Sequence, residues 1–415
     1  MKQRFNTVSR LTISVLAAAA TAGCEGPTGP VPELDALPRS LTAFEEAVIG
    51  GSNGFAFDLL REVNEAHRAE NVFISPLSVS MALGMTMNGA ASETYDQMRS
   101  TLGFGSLSQA EINRSYRDLI DLLLGLDPSI ETRIANSIWY REGFQVETSF
   151  LDAVRASFDA EIHAADFRDP GLVDRVNEWV SSATNGRIDE IMDSVHPDDV
   201  MYLINAIYFN ASWRQRFEAS RTTSENFTGF DGRQIPVRMM NASLAVRHHA
   251  GPDLEAVELP YGNGAYTMTV VLPRPGVDVN ELLASLDRRR WEEIVGGMSV
   301  NELLVSLPRF RLELEESLVE PLKALGMVDA FGSSADFTRM SALHGRDMFI
   351  GDVKHMTFVE VDEEGTEAAA VTKVDIRVTS APPSFRADRP FVFAIRERLS
   401  GTILFIGKVA EPESL

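Results

Sequence analysis

The stretch from residue 362 to residue 389 places the strongest constraint on the fold, because it carries two opposing patterns between two predicted strands. Its length without a helical pattern is typical of an exposed, functional connection. Every second residue from Thr366 to Val378 is nevertheless small or apolar, and the residues between them are mostly polar. Such alternation is typical of a strand with one face on a core. Both patterns can hold if the segment is an exposed connection in one state and a strand of a sheet in another. The simpler alternative is a long edge strand followed by a loop.

The two ends of this segment set limits on where such a strand can run. At its start, the small residues Thr366, Ala368 and Ala370 can enter between existing strands without forcing them far apart. Near its end, Pro382 and Pro383 would end the backbone pairing of such a strand, since neither can donate a backbone hydrogen bond.

The rest of the chain divides into a helical first half and a strand-rich second half. Apolar residues recur at helical spacing in residues 55–63 and 173–183. A hairpin turn at residues 398–401 joins the last two strands. This order predicts an α+β domain. The predicted strands cover residues 202–209, 265–272, 303–307, 356–361, 391–395 and 402–409.

The N-terminal region has the anatomy of an export signal. Three basic residues precede a short apolar run at residues 11–20, and small residues lead up to Cys24, the only cysteine. The run is shorter than the roughly 20 residues of a permanent span. Residues 1–23 resemble a bacterial lipoprotein signal, which predicts that Cys24 is acylated. The alternative is an ordinary secretory signal cut nearby.

Residues 24–40 are rich in proline and glycine and predict a tether, which leaves one domain over residues 41–415. No second linker and no repeat interrupts that domain. The protein is therefore expected to be exported, as an outer-membrane or cell-surface lipoprotein or otherwise as a periplasmic or extracellular protein. Contact with a membrane is predicted only through the lipid at Cys24.

Composition and motif content exclude several functions. The chain has 60 acidic and 38 basic residues and a net charge of -22, so it lacks the basic footprint that nucleic acid requires. A lone cysteine excludes a disulfide framework and a multi-cysteine metal site. No nucleophile elbow or zinc-protease motif occurs, and no cofactor is predicted. The acidic run containing Asp362, Glu363, Glu364 and Glu367 lacks calcium-loop spacing and is predicted to be solvated.

The segment after residue 362 resembles the hinge of the reactive-centre loop of the serpins. The hinge residues are Glu363, Glu364, Gly365, Thr366, Glu367, Ala368, Ala369 and Ala370. Further serpin patterns follow in the right order over about 365 residues. They lie at residues 71–78, 205–213, 307–310, 335–337, 355, 389–391 and 405–408.

The resemblance implies one domain of three β-sheets and eight or nine helices, with a reactive-centre loop at about residues 363–389. It further implies a monomer that inhibits serine proteases. Cysteine proteases are a second possible target, because they can be trapped as acyl-enzymes in the same way. The protease attacks the loop and forms a covalent acyl-enzyme. The cut loop then inserts into the main sheet and traps the protease. Such a protein is a suicide substrate and not an enzyme.

The resemblance also implies roles for residues outside the loop. Ser75, Ser78, Asn205 and His355 match the shutter, a polar network under the point where the sheet opens. Trp213 and Glu363 match the breach, where insertion begins. Without the resemblance, these would be routine polar and aromatic residues of a core.

The loop from Glu363 to Pro390 is as long as in the commonest inhibitory serpins, and this resemblance implies a scissile bond at Thr379-Ser380. Thr379 is small and β-branched, which suits the shallow primary pocket of an elastase-like protease. Cleavage after Val378 is a second elastase-like option, and cleavage after Arg377 is a trypsin-like one. Two other functions remain open: a non-inhibitory serpin that serves as a binding or chaperone module, and an extracytoplasmic hydrolase, for which no nucleophile and base are visible.

Overall fold

The computed structural model describes residues 32–196, 198–366 and 383–412. Within those ranges the chain is a mixture of helices and strands, as predicted for an α+β domain. The nine α-helices of these ranges are α1 (Ala43–Ala66), α2 (Pro76–Met87), α3 (Ser92–Thr101), α4 (Gln109–Gly125), α5 (Thr148–Phe158), α6 (Leu172–Ala183), α7 (Val279–Ser285), α8 (Arg288–Gly296) and α9 (Val319–Ala324).

Fifteen strands lie in the same ranges, and each of the six predicted strands overlaps one of them. They are β1 (Val72–Ile74), β2 (Glu131–Arg141), β3 (Glu161–Ala165), β4 (Met201–Ser212), β5 (Thr223–Thr228), β6 (Gln234–Ala250), β7 (Leu254–Pro260), β8 (Tyr266–Pro273), β9 (Ser299–Pro308), β10 (Phe310–Ser317), β11 (Lys354–Val361), β12 (Gly365–Thr366), β13 (Ser384–Arg386), β14 (Phe391–Glu397) and β15 (Ile403–Val409). Short 3-10 helices lie at Ala219–Arg221 and Asp329–Phe331.

The first two helices begin at strong local signals. The side chains and backbones of Thr42 and Glu45 cap each other at the start of α1, which satisfies two free backbone donors. Ser75 caps α2 through its side chain, and Pro76 occupies the first turn, where its missing N–H is no loss. Helix α2 is buried on nearly every side.

A six-stranded sheet has the order β10-β11-β12-β4-β2-β3. Strands β10 and β11 pair antiparallel over eight residues each, from Phe310 opposite Val361 to Ser317 opposite Lys354. Strands β2 and β4 form the other long antiparallel ladder. The two-residue strand β12 lies between these two halves, at the centre of the sheet.

The other strands form a nine-stranded network of order β1-β15-β14-β8-β7-β6-β9-β13, with β5 also paired to β6. The expected count of three sheets is not confirmed, because the 17-residue strand β6 pairs with β5, β7 and β9 and so joins them in one network. Strands β14 and β15 are buried along their whole length. Phe393 of β14 and Phe405 of β15 stack on Phe73 of β1.

Part of the predicted tether is packed on the domain. The backbone N–H of Leu34 donates to the carbonyl of Asn263 at 2.9 Å, and Arg398 donates to the carbonyl of Leu34. Leu34 and Leu37 are partly buried against the core, which offsets the cost of ordering this segment. Leu34 and Leu37 of the predicted tether thus pack on the domain, while residues 24–31 lie outside the described ranges. In the described ranges, no helix is long and apolar enough to cross a membrane.

Candidate functional site

The hinge residues Gly365 and Thr366 lie in the centre of the six-stranded sheet. Thr366 is opposite Val361 of β11 on one side and Ala211 of β4 on the other. The chain reverses within residues 362–365, where the N–H of Asp362 donates to the carbonyl of Gly365 at 3.0 Å. The start of the alternating segment is therefore already paired as a central strand.

The reversal depends on Asp362 and Gly365. The carboxylate of Asp362 accepts hydrogen bonds from the N–H groups of Glu364, at 2.8 Å, and Gly365, at 3.2 Å. This is the local geometry by which aspartate side chains form turns. Gly365 has φ +155°, and a Cβ there would lie 2.0 Å from the carbonyl oxygen of Ala211. No side chain larger than hydrogen is tolerated at this crossing of two backbones.

Glu363 is buried and fully paired. Its carboxylate lies 2.5 Å from the Arg309 guanidinium and accepts a hydrogen bond from the Thr222 hydroxyl. Burial acts to raise the pKa of Glu363, but the bonds from Arg309 and Thr222 outweigh it and hold the pKa below its usual value. The prediction of a solvated acidic run is therefore wrong at Glu363, because a specific cation and a hydroxyl satisfy its carboxylate.

Trp213 connects this turn to the hinge. Its indole N–H donates to the carbonyl of Asp362 at 2.8 Å. Its ring stacks on Tyr261, with centroids 4.4 Å apart and planes within 10°. The Tyr261 hydroxyl is in turn 2.7 Å from the hydroxyl of Thr366. We call Trp213, Thr222, Tyr261, Arg309 and Glu363 the breach cluster.

A cleft continues from Thr366 between the two halves of the sheet. Within the described ranges, no backbone pairing joins β4 directly to β11. Most of its lining side chains are apolar, which suits the small and apolar residues of the alternating segment. It is lined by Ile207, Tyr208 and Phe209 of β4, Phe358, Val359 and Glu360 of β11, Phe73, Ile395 and Phe405 of the core, and Thr184, Arg187 and Ile188 after α6.

A second polar group lies further along the same strands. The N–H of Ser75 donates to Nε2 of His355 at 2.9 Å, and its hydroxyl donates to the carbonyl of Leu404 at 2.8 Å. The Ser78 hydroxyl reaches the carbonyl of Asn205 at 3.5 Å. The Asn205 amide donates to the side chain of Asn136 at 2.6 Å. We call Ser75, Ser78, Asn136, Asn205 and His355 the shutter network.

The shutter network contains no charged side chain. Complete burial lowers the pKa of His355 to about 4, so the imidazole is neutral at physiological pH. Because Nε2 accepts a hydrogen bond, the proton of the neutral ring is on Nδ1. Oδ1 of Asn205 is buried and has no hydrogen-bond partner among the described residues. A buried acceptor without a partner is costly, so a donor that arrived beside Asn205 would be stabilised.

The structure thus brings together Ser75, Ser78, Asn205 and His355, and separately Trp213 and Glu363. Their roles in sheet opening stay predictions. No local signal in the sequence marked Asn136, Thr222 and Tyr261. Arg309 lies within the serpin pattern at residues 307–310, but no role was predicted for it. The remaining predicted site residues lie outside the described ranges: Glu367, Ala368, Ala369, Ala370, Arg377, Val378, Thr379, Ser380 and Cys24.

Comparison with known proteins decides the family. A family model described as "Serpin (serine protease inhibitor)" matches residues 51–412. The chain belongs to the serpin family. An uncharacterized serpin-like protein of Thermococcus kodakarensis is 34% identical over 376 residues, which cover 89% of this chain and 87% of that protein.

Solved serpin structures agree with the fold. The thermophilic serpin tengpin, crystallized in the native state, superposes with a TM-score of 0.81 at 34% identity and covers 91% of this chain and 97% of its own. Thyroxine-binding globulin in complex with thyroxine gives a TM-score of 0.80 at 26% identity, with 89% and 99% covered. The α+β serpin fold predicted from the sequence is therefore confirmed.

Within the described part of this serpin, no group of three or more histidine, cysteine, aspartate or glutamate residues is placed to hold a metal ion. The polar groups of the breach cluster lie instead around the backbone of β12, which enters the six-stranded sheet at one end. The breach cluster lies where that backbone enters the sheet, and the shutter network lies farther along β4 and β11.

Proposed function

We propose that this serpin inhibits serine proteases as a suicide substrate, by cleavage of its reactive-centre loop and insertion of the cut loop into the six-stranded sheet. The observation that carries the proposal is the position of β12, which pairs with β4 and β11 and has the apolar cleft ahead of it. Insertion then needs only to continue a ladder that has already begun.

The energy of insertion comes from the segment that follows Thr366. Extended from Thr366 to Val378, it would add a strand of roughly 40 Å at about 3.3 Å per residue. Its backbone groups would pair with β4 and β11, and its small apolar residues would be buried on the cleft floor. A protease attached as an acyl-enzyme at the cut end would be carried the same distance. Distortion of its active site would stop hydrolysis of the acyl bond.

The first buried hinge residue is suited to this path. Thr366 is 4% exposed, and its hydroxyl is bonded to Tyr261. A polar group is buried cheaply when it is hydrogen-bonded, whereas a charge at the same position is costly. The chain thus meets, at the first step of insertion, a condition that a charged residue at this position would not meet.

The target and the bond follow from the loop sequence. We place the scissile bond at Thr379-Ser380, which suits an elastase-like or broad-specificity serine protease, and keep Val378 and Arg377 as alternative positions of cleavage. Cysteine proteases, which also form acyl intermediates, are a secondary class of target. The inhibitor is expected to act as a monomer and without a cofactor.

The test is to mix the protein starting at residue 33, which keeps the packed segment before α1, with pancreatic elastase, trypsin and subtilisin. Denaturing gels detect a covalent adduct, and mass spectrometry weighs the released C-terminal peptide. An adduct with a peptide that begins at Ser380 supports Thr379 as the cleaved residue. A peptide beginning at Val378 moves the cut to Arg377, and one beginning at Thr379 moves it to Val378.

The competing function is that of a non-inhibitory binding protein. Thyroxine-binding globulin, crystallized with thyroxine, has the same fold, so the fold alone does not establish inhibition. Cleavage of the loop by all three proteases without an adduct would reject inhibition and favour this second function.

We also propose that the protein is exported and anchored by a lipid at Cys24, on the strength of the sequence pattern before that cysteine. Mass spectrometry of the membrane fraction is expected to show an acylated N-terminal Cys24. The Cys24→Ser variant is expected to leave that fraction. Equal partition of both forms into the soluble fraction would favour an ordinary secretory signal.

A further inference from the structure

We infer that His67 forms a clamp that acid engages, which holds the segment between α1 and α2 against β10 and opposes the loosening of the shutter network in acid. His67 follows the last residue of α1 and ends that helix. Its two ring nitrogens face two different carboxylates, those of Glu70 and Glu316. We call these three residues the His67 clamp. It acts on the native fold, whatever the fate of the reactive-centre loop.

The geometry of the His67 clamp requires a protonated ring. Nδ1 of His67 lies 2.8 Å from Oε2 of Glu70, and Nε2 lies 2.8 Å from Oε2 of Glu316. An ionised carboxylate only accepts hydrogen bonds, and a neutral imidazole has one N–H to donate. Both contacts are therefore hydrogen bonds only when the ring carries its second proton. The bonds to Glu70 and Glu316 accordingly raise the pKa of His67 above its ordinary value, although burial opposes them.

Glu316 occupies a row of β10 that otherwise holds apolar residues. Side chains two residues apart in a strand lie on the same face, and Phe310, Leu312 and Leu314 precede Glu316 at this spacing. Phe310 and Leu312 are buried. The side chain of Glu316 is only 26% exposed, and that of His67 22%. A carboxylate that has lost much of its water gains from a charged partner, which His67 supplies.

Glu316 also connects the His67 clamp to the shutter network. In the β10–β11 ladder it is directly opposite His355, whose Nε2 accepts the N–H of Ser75 at 2.9 Å. His67 and Ser75 are the two ends of the segment 67–75, so the two histidines hold opposite ends of one segment against neighbouring strands. Acid removes the bond at Ser75, because Nε2 of a protonated His355 has no free lone pair, and completes the bonds at His67.

The two histidines therefore have opposite effects on stability as the pH changes. A group whose pKa is raised by folding contributes fully below its unfolded pKa, and the contribution is lost as the pH rises through the raised pKa. The contribution of His67 is thus complete below pH 6.5, where that of His355 begins to decline. The other charged groups nearby are Glu65 and Arg68, which pair with each other, Asp278 at the start of α7, and Lys408, whose ammonium donates to the carbonyl of His67 at 2.9 Å.

Urea unfolding of the native protein and of His67→Gln between pH 9 and pH 6 tests the clamp. Glutamine can donate and accept but does not titrate, and both proteins keep Lys408, whose pKa burial lowers to about 8. We expect the unfolding constant of the variant, relative to the native one, to rise about fivefold from pH 9 to pH 6, the size expected of two partly exposed ion pairs. A ratio that is equal at both pH values would overturn the clamp and leave His67 a packing role only.

NMR titration of the His67 ring gives a readout in the folded protein. Glu316→Gln is expected to move the midpoint of this titration to lower pH. Glu315→Gln is the matched control, because it removes the neighbouring carboxylate, which contacts Lys354 at 3.5 Å instead. It is expected to leave the midpoint unchanged. Equal midpoints in the two variants would contradict the bond between His67 and Glu316.

Hydrogen exchange of the Ser75 amide tests the connection to the shutter network. At pH 5.5, where the His67 clamp is engaged in the native protein, exchange is expected to be about fivefold faster in His67→Gln, because the segment 67–75 is then held at one end only. At pH 9 the two proteins are expected to exchange at the same rate. Equal rates at pH 5.5 would show that the clamp does not oppose the loosening of the shutter network.

Discussion

The breach cluster and the shutter network belong to the same sheet but are stabilised by different forces. In the breach cluster, a buried carboxylate meets a cation, and stacked aromatic rings surround the hinge. In the shutter network, neutral side chains exchange hydrogen bonds around a buried imidazole. We therefore expect the first group to discriminate by the size and charge of what enters the sheet, and the second to respond to protonation.

The two groups also differ in how acid affects them. His355 has a pKa lowered from 6.5 to about 4, so it opposes protonation in the folded state. Its contribution to stability is complete above pH 6.5 and is lost as the pH falls toward 4. Glu363 also has a lowered pKa, from 4.5, and its contribution is lost only below that value. Acid should therefore weaken the shutter network before the breach cluster.

The largest expected effect comes from placing a charge at the hinge. Thr366→Arg puts a guanidinium where Tyr261 offers only a hydroxyl, and burial of an unpaired charge costs several kcal/mol. We expect β12 to leave the sheet and insertion to fail. The protein would then become a substrate, with about 100-fold more molecules consumed per protease inhibited. Titration of residual protease activity measures this ratio.

Thr366→Ser is the matched control, because it keeps the hydroxyl and the small size. It is expected to stay within about twofold of the native ratio. If Thr366→Arg inhibited as well as Thr366→Ser, the breach cluster would not discriminate by charge, and the contrast with the shutter network would disappear.

The sequence predicted the secondary-structure elements better than the contacts between distant segments. Local patterns located six of the strands and helices α1 and α6, because alternation and helical spacing depend only on neighbouring residues. The partners of Glu363 could not be predicted, since Thr222, Arg309 and Glu363 come from three distant segments that meet only in the folded sheet. The docking of Leu34 was missed for the same reason, because the adjacent prolines and glycines gave the whole region the pattern of a linker.

The next effect is the acid sensitivity of the shutter network. Between pH 7 and pH 4, protonation of His355 is expected to lower the free energy of unfolding by about 3 kcal/mol, from a pKa difference of about 2.5 units. The loss should begin near pH 6.5, above the range in which carboxylates titrate. Urea unfolding at half-unit pH steps measures it.

His355→Gln supplies the comparison, because glutamine can still accept the hydrogen bond from Ser75 and does not titrate. Its stability is expected to be nearly flat between pH 7 and pH 5, whatever its absolute value. A native-like slope in this variant would show that another group causes the acid sensitivity, and the division of roles between the two groups would fail.

The smallest effect is expected from breaking the ion pair of the breach cluster. Glu363→Gln keeps the shape and one acceptor for Thr222 but leaves the Arg309 cation without its partner. Arg309 is 28% exposed, so water can solvate part of its charge, and we expect a loss of about 2 kcal/mol at pH 7 rather than the larger cost of a fully buried charge. The loss should be constant between pH 7 and pH 5, in contrast to that caused by His355, because the lowered pKa of Glu363 keeps its carboxylate ionised there. Urea unfolding of Glu363→Gln, Arg309→Gln and the double variant gives the coupling energy. Additive losses would show that Glu363 and Arg309 do not stabilise each other. The stacking of Trp213 on Tyr261 would then be the main interaction that stabilises the breach cluster.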